Sequence, residues 1–360
     1  MWWTRRRYTR ERGQGTTEYA LVAGAIFLIV IVMLQLLGKN TNTSLCGGAK
    51  GLGGTICGKY TDYDLAGGAA SGPRSMVEGP DGNLWYGEET TNVIGRMDIG
   101  GHEILPAFSI PTASAVPHDM ILGPDNQVWF TEYGTGRVGR VNTSGHFDEF
   151  FTGNAASGPS YLTVGPDGNV WAAMYFTSVI DVFSPATFPA PGSLLHSYST
   201  GVASDPGGLA VSPDKSSIWF LATQGNFIGV MTVATGAVAH QYSTGLTSNA
   251  HLEGIVTAPD GNFWFTEWNA TNIGKITTAG TITEYPTGTI DNWGIVVGGD
   301  GNLWFCARGA SEIVEVNLSN DTLKPFPPPN ASGGILNIAA AHDHNLWYTD
   351  ESSGQVGRLY

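Results

Sequence analysis

Two patterns of apolar and polar positions divide this chain. The first is one apolar run, Ala20 to Leu37, with no charged residue inside it. Its 18 residues would rise about 27 Å as a helix at about 1.5 Å per residue, just long enough for one membrane span. The second pattern fills the chain from about residue 58 to the end. Short apolar stretches of strand length alternate there with clusters of Gly, Pro, Asp and Asn, the signature of strands joined by tight turns.

The second pattern is periodic. Gly79-Pro80-Asp81-Gly82-Asn83-Leu84-Trp85 recurs as Gly123-Pro124-Asp125-Asn126-Gln127-Val128-Trp129 and Gly165-Pro166-Asp167-Gly168-Asn169-Val170-Trp171, and in four looser copies ending at Trp219, Trp264, Trp304 and Trp347. The seven tryptophans lie 44, 42, 48, 45, 40 and 43 residues apart. A period near 40–45 with several short strands per unit predicts a β-propeller, here with seven blades. In the fifth unit the pattern predicts an inner strand over 254–258, a turn over 259–262, then strands over 263–266, 272–277 and 281–285. The large flat Trp side chain is expected between blades, and the Asp-Gly pairs supply positive φ at the hairpins.

The ends of the pattern predict how the ring closes. The last unit stops at Gln355–Tyr360, in its third strand, while the alternating segment before the first unit has no unit of its own. Residues near 58–66 are therefore expected to supply the outer strand of the seventh blade. The fold class is all-β, a seven-bladed propeller preceded by one long N-terminal hydrophobic helix.

Composition agrees with an exported β domain. Charged residues make up only 13% of the chain, against 50 glycines and 19 prolines, a turn-rich balance. The formal charge is −14. Without residues 1–13, which hold five arginines and one glutamate, 12 basic residues face 30 acidic ones, a formal charge of −18. Such a surface argues against nucleic acid as a partner and favours repulsion between copies. Cys46 and Cys57 flank a glycine-rich loop, and a disulfide between them would stiffen a stalk in an oxidising compartment. Cys306, inside Leu303-Trp304-Phe305-Cys306, reads as a core residue.

The apolar run has unusual flanks. Arg5, Arg6, Arg7, Arg10 and Arg12 precede Gly13, and Gln14-Gly15-Thr16-Thr17-Glu18-Tyr19 leads into the run. The arginines keep the N-terminus cytoplasmic, so everything after Gly38 is outside. A secretory signal would place a small-residue cleavage site after the run, and there is none. Cutting after Gly13 would keep the run and free an amine at Gln14. Glu18 would otherwise be a costly carboxylate at the edge of a lipid-embedded helix. A neighbouring copy's amine could neutralise it and set the register between helices.

These residues resemble the prepilin signature of type IV pilin-like proteins, most closely the small pilins of tight-adherence (Flp-type) pili. That resemblance implies a leader (1–13) removed between Gly13 and Gln14, a filament-forming helix (14–38) with Glu18 and Tyr19 in assembly, a stalk (39–57) and a displayed propeller (58–360). The implied partners are further copies of the chain, a prepilin peptidase with its assembly machinery, and the membrane before assembly. The expected location is a cell-surface filament. A plain signal anchor, with Glu18 at the headgroup level, is the alternative for the N-terminus; for the whole chain the alternatives are a surface adhesin or ligand-binding propeller on a minor or tip pilin, and a membrane-anchored lyase-like propeller enzyme.

The repeats carry a second resemblance. Trp264-Phe265-Thr266-Glu267 with Asn272-Ile273-Gly274-Lys275-Ile276, and Trp129-Phe130-Thr131-Glu132 with Gly139-Arg140-Val141, resemble the seven-bladed virginiamycin B (streptogramin) lyase propellers. That family implies a metal-assisted site at one mouth of the ring. A histidine opens one inner strand, Glu-Pro-His opens the next, and a glutamate follows that blade's tryptophan. The inner strands here open at Arg74, His118, Ser160, Gly207, Glu253, Trp293 and Leu336. Val116-Pro117-His118 matches one histidine position, but the next blade offers Gly158-Pro159-Ser160. No rotation restores the set, so no lyase activity, cofactor or metal is expected. What remains is a funnel of Arg74, His118, Tyr161, His251, Glu253, Asp291 and Trp293, suited to a surface glycan or small polar ligand if it is more than ordinary channel lining.

Overall fold

A computed structural model describes residues 58–190, 193–201, 204–329 and 333–360. The apolar run, Gly13, Gln14, Glu18, Tyr19, Cys46 and Cys57 lie outside the described residues. The described residues form seven four-stranded antiparallel sheets. Their inner strands touch in chain order, and the seventh touches the first, so the sheets are blades of a closed propeller. The fifth blade consists of Leu252–Thr257, Phe263–Glu267, Asn272–Ile276 and Ile282–Pro286. Each strand lies within two residues of its expected start and end.

Closure is made by the chain's two ends. The seventh blade takes Ile335–Ala340, Leu346–Asp350 and Gln355–Leu359 from the C-terminus, and Tyr60–Asp64 as its outer strand. Tyr60 lies opposite Leu359, and Asp64 opposite Gln355. Two further backbone bonds, Gly58 N to Tyr360 O at 3.0 Å and Tyr360 N to Lys59 O at 2.9 Å, extend the ladder. Tyr60 donates its hydroxyl to the Phe326 carbonyl of blade six, and Tyr348 donates to Asp62.

Each residue of the repeat has a separate physical job. In five blades the turn aspartate accepts the indole N–H of its tryptophan, at 2.8 Å for Asp81–Trp85 and Asp125–Trp129, and Asp81 also caps the turn asparagine; the Trp264 indole N–H has no such partner. The held indole fills the space between blades. Trp85 packs with Met120 and Val128 of blade two, and Trp219 stacks on Phe263 of blade five at 4.2 Å. The next aromatic lies flat on a glycine of the third strand: a Cβ on Gly274 would sit 2.0 Å from the Phe265 ring, and one on Gly139 2.3 Å from Phe130. That close approach is why Gly stands in the middle of those strands. Cys306 is fully buried, and burial pushes its thiol pKa up.

Because an open ring leaves two unpaired sheet edges, deleting the last twelve residues, Thr349–Tyr360, should unfold the domain rather than shorten it. It removes a central strand and strands Tyr60–Asp64. Thermal unfolding by circular dichroism should lose its cooperative transition; a retained sharp melt would contradict this account of closure.

Candidate functional site

Every inner strand carries a register irregularity between its first and fourth residues, as between Pro117 and Met120 in blade two. A bulge re-aims side chains and orphans a backbone N–H. The re-aiming lets His118 and Asp119, neighbours in sequence, both face the axial cavity. The threonine two residues after the tryptophan satisfies the freed donor: Thr131 Oγ1 accepts Asp119 N–H at 2.9 Å, and Thr266 accepts Gly254 N–H at 3.0 Å. One mouth of the ring is thus built to a repeated plan.

A second repeated bond frames that mouth. The residue four after each tryptophan donates its N–H to the carbonyl just ahead of its own inner strand, as in Tyr133 to Val116, Tyr175 to Gly158 and Trp268 to His251. Several accepting residues hold positive φ without being glycine, namely Val116 (56°), Asp205 (45°), His251 (52°) and Asp291 (69°). For a β-branched residue such as Val116 this is a strained conformation, of the kind that clusters at ligand sites.

The mouth encloses about 580 Å³ and leads into an axial cavity of about 300 Å³. Six of the seven funnel residues line it: Arg74, His118, Tyr161, His251, Glu253 and Trp293. Asp291 does not. Its carboxylate is drawn aside by the Trp293 indole N–H and by Arg308 at 3.7 Å. The sequence reading also missed Glu89, Tyr133, Tyr175 and Trp268, which line the wall. All four stand four positions after a repeat tryptophan, a spacing that would have found them.

The polar groups are tightly engaged. The Ser160 carbonyl can only accept, so His118 donates from Nδ1 at 3.0 Å and its Nε2 is left as an acceptor. Arg74 Nη2 fills that acceptor at 2.7 Å. Burial and the neighbouring guanidinium both hold His118 well below the usual imidazole range, so it is neutral. Arg74 also pairs with Glu89 at 3.2 Å and lies 5.2 Å over the Trp293 ring. Across the mouth, Tyr161 donates to Glu253 Oε1 at 2.7 Å. Burial raises the Glu253 pKa, while the Tyr161 bond acts the other way.

The glutamates three after the tryptophan do not face the mouth. Glu132 and Glu267 are fully buried in the blades. Each lies against a second glutamate of the outer strand, Glu149 and Glu284. Those partners are anchored in matching fashion: Thr112 donates N–H at 3.2 Å and O–H at 2.9 Å to Glu149, and Thr247 donates N–H and O–H to Glu284. Oε1 of Glu132 has no hydrogen-bond partner, and the Glu267 carboxyl is met by Glu284 and Asn272. Burial, then the adjacent glutamate, pushes each pKa up to about 8.

A closed seven-bladed ring with an axial cavity under a bulged mouth defines a seven-bladed β-propeller. The sequence signature of the virginiamycin B lyase family matches residues 53–183 and 195–360, and the chain belongs to that family. A streptogramin B lyase structure is 26% identical, with a TM-score of 0.75 over 84% of this chain and 97% of that one. Virginiamycin B lyase from Staphylococcus aureus is 25% identical, with a TM-score of 0.74 over 84% and 98%. A catalytically inactive histidine-to-alanine variant of that enzyme with quinupristin is 24% identical at a TM-score of 0.75, over 84% and 98%. No curated protein matches the chain.

A metal-assisted centre does not fit this mouth. Nε2 of His118 already accepts from Arg74, so it has no lone pair free to ligate a metal. Among the described residues no group of three or more His, Cys, Asp and Glu side chains converges as a metal site requires.

The buried glutamates give a signed pH dependence. An unfolded glutamate titrates near pH 4.3, whereas Glu132 and Glu267 keep their protons up to about pH 8 in the folded protein. Around Glu132, Glu149 raises the pKa while Arg137 and the Thr135 hydroxyl lower it; around Glu267, Glu284 raises it and Asn272 lowers it. The folded state binds more protons in that window, so their stabilisation is complete below about pH 4.3 and lost as pH rises through about 8. Melting temperature should fall across this range in the wild type and less steeply in Glu132→Gln/Glu267→Gln, which keeps the same-signed contributions of Asp119 and Asp181, pushed up by burial to about 7 and about 6. An unchanged slope in the double variant would refute the assignment.

Proposed function

We propose that this protein is a structural subunit of an extracellular type IV pilus-like filament that displays a ligand-binding, non-catalytic propeller of the virginiamycin B lyase family. The observation that carries the filament reading is the order and spacing of Gly13, Glu18-Tyr19 and the apolar run 20–37 behind a basic leader. In this reading a prepilin peptidase cuts between Gly13 and Gln14. The retained helix then leaves the membrane for a helical bundle, where the Gln14 amine of one copy neutralises Glu18 of another. Packed helices lie about 8–10 Å apart, while a 300-residue domain is about 50 Å across. The propellers therefore fan outward, and the glycine-rich stretch 39–57, closed by Cys46 and Cys57, gives them reach.

The mouth supports binding rather than lyase chemistry. A general base needs a free acceptor near its substrate, and Arg74 takes that of His118. The alternative, a surface-anchored lyase, is favoured by family membership and by His118 at a matching histidine position.

Two measurements separate these readings. Glu18→Ala should abolish surface filaments, seen by electron microscopy, while the propeller melts as in the wild type; normal filaments would reduce the N-terminus to an anchor. Purified protein should leave quinupristin, the compound named with the Staphylococcus aureus enzyme, intact by mass spectrometry. Turnover lost in His118→Ala would establish the lyase instead.

A further inference from the structure

We propose that the mouth binds an organic ammonium ligand, a compact apolar body carrying a nitrogen cation, seated against Tyr133, Tyr175 and Trp268 and facing the Glu253 carboxylate. This deepens the reading of the mouth as a ligand site and rests on it.

The polar side chains of the wall are mostly spent inside the protein. Ser160 donates to the Ala173 and Pro206 carbonyls, at 3.3 and 3.2 Å, and Thr223 donates to the Leu252 carbonyl at 2.8 Å. Both nitrogens of His118 are engaged, and so is the Tyr161 hydroxyl. A sugar, which needs many hydrogen-bond partners, finds few here. Aromatic faces and carboxylate charge remain.

The charge is unbalanced in one direction. Arg74 is the only Lys or Arg on the wall of the mouth, and its guanidinium is matched by Glu89. Glu253 therefore faces the cavity with a neutral phenol as its hydrogen-bond partner. Asp205 stands close enough to act on Tyr133 and Tyr175, and no cation pairs with it among the described residues. A half-buried carboxylate that shares its one nearby guanidinium, Arg74, with Glu89 is costly, and an incoming cation lowers that cost.

The aromatic groups are placed to hold such a cation. The rings of Tyr133 and Tyr175 lie 6.5 Å apart and inclined by 57°. Trp268, 40% exposed and 5.3 Å from the His251 ring, lines the same mouth. Inclined aromatic faces beside a carboxylate attract ammonium groups through the ring quadrupole. Phe176 and Ile290, both more than half exposed, extend the apolar rim outward for the body of the ligand.

The test uses isothermal titration calorimetry of the whole propeller chain with choline, its neutral carbon isostere and maltose. Choline should bind, and the isostere at least about tenfold more weakly, since losing desolvated cation–π contacts worth up to about 2 kcal/mol is about one decade or more. Glu253→Gln should weaken choline about tenfold or more with an unchanged melt, because Gln keeps an acceptor for Tyr161. Equal binding of choline and its isostere would overturn the proposal. Binding of maltose without choline would overturn it while leaving the mouth a ligand site. No heat from any of the three would remove both readings.

Discussion

The ring exists because one strand from before the first repeat pairs with the last. Seven separate sheets hold together as a ring only if the first and last blades are tied to each other, and here the tie is a blade built from both ends of the propeller. Here they meet in a ladder from Gly58–Tyr360 to Asp64–Gln355. Everything else in the propeller depends on that closure. The tryptophan of each blade is buried by the blade beside it, so an open ring would expose two faces of core at once. The mouth needs closure as well, since its wall takes Arg74 from blade one and Glu253 and Trp293 from blades five and six.

Within the closed ring the repeat is a set of local solutions that converge on the mouth. Asp fixes Trp, Trp fills the blade interface, the following aromatic covers a glycine, and Thr satisfies the N–H that the bulge frees. The bulge is what makes the mouth chemically useful, because it turns adjacent inner-strand residues toward the axis. The residues so exposed have drifted from the lyase pattern. A histidine remains at position 118, but an arginine from the neighbouring blade occupies its free nitrogen, and a serine stands where the next histidine is expected. The fold is shared with the lyases, and the proposed binding role rests on the groups that line this mouth.

Fold and site were legible to different depths. Blade number, strand positions and the closing strand could be read because Trp and Asp-Gly recur at a fixed period and because the last unit visibly lacks a strand. Arg74, His118, Glu253 and Trp293 could be read because position two of each inner strand is set by the same period, and Tyr161 and His251 because they lie within two residues of such a position. Asp291 was misplaced because its side chain is decided by Arg308 and the Trp293 indole, contacts that no local pattern announces. Tyr133, Tyr175 and Trp268 were missed because the bulge, invisible in a pattern of alternation, brings the end of the second strand to the rim. The buried carboxyl pairs were hidden for a similar reason: Glu132 and Glu149 are 17 positions apart and meet only across the folded blade.

The central claim is that a propeller of an enzyme family has been placed on a filament subunit for display. The most direct measurement is the intact mass and N-terminal sequence of native protein sheared from the cell surface. The account predicts a chain beginning at Gln14 in the sheared fraction. A chain beginning at Met1 and found only with membranes would contradict it.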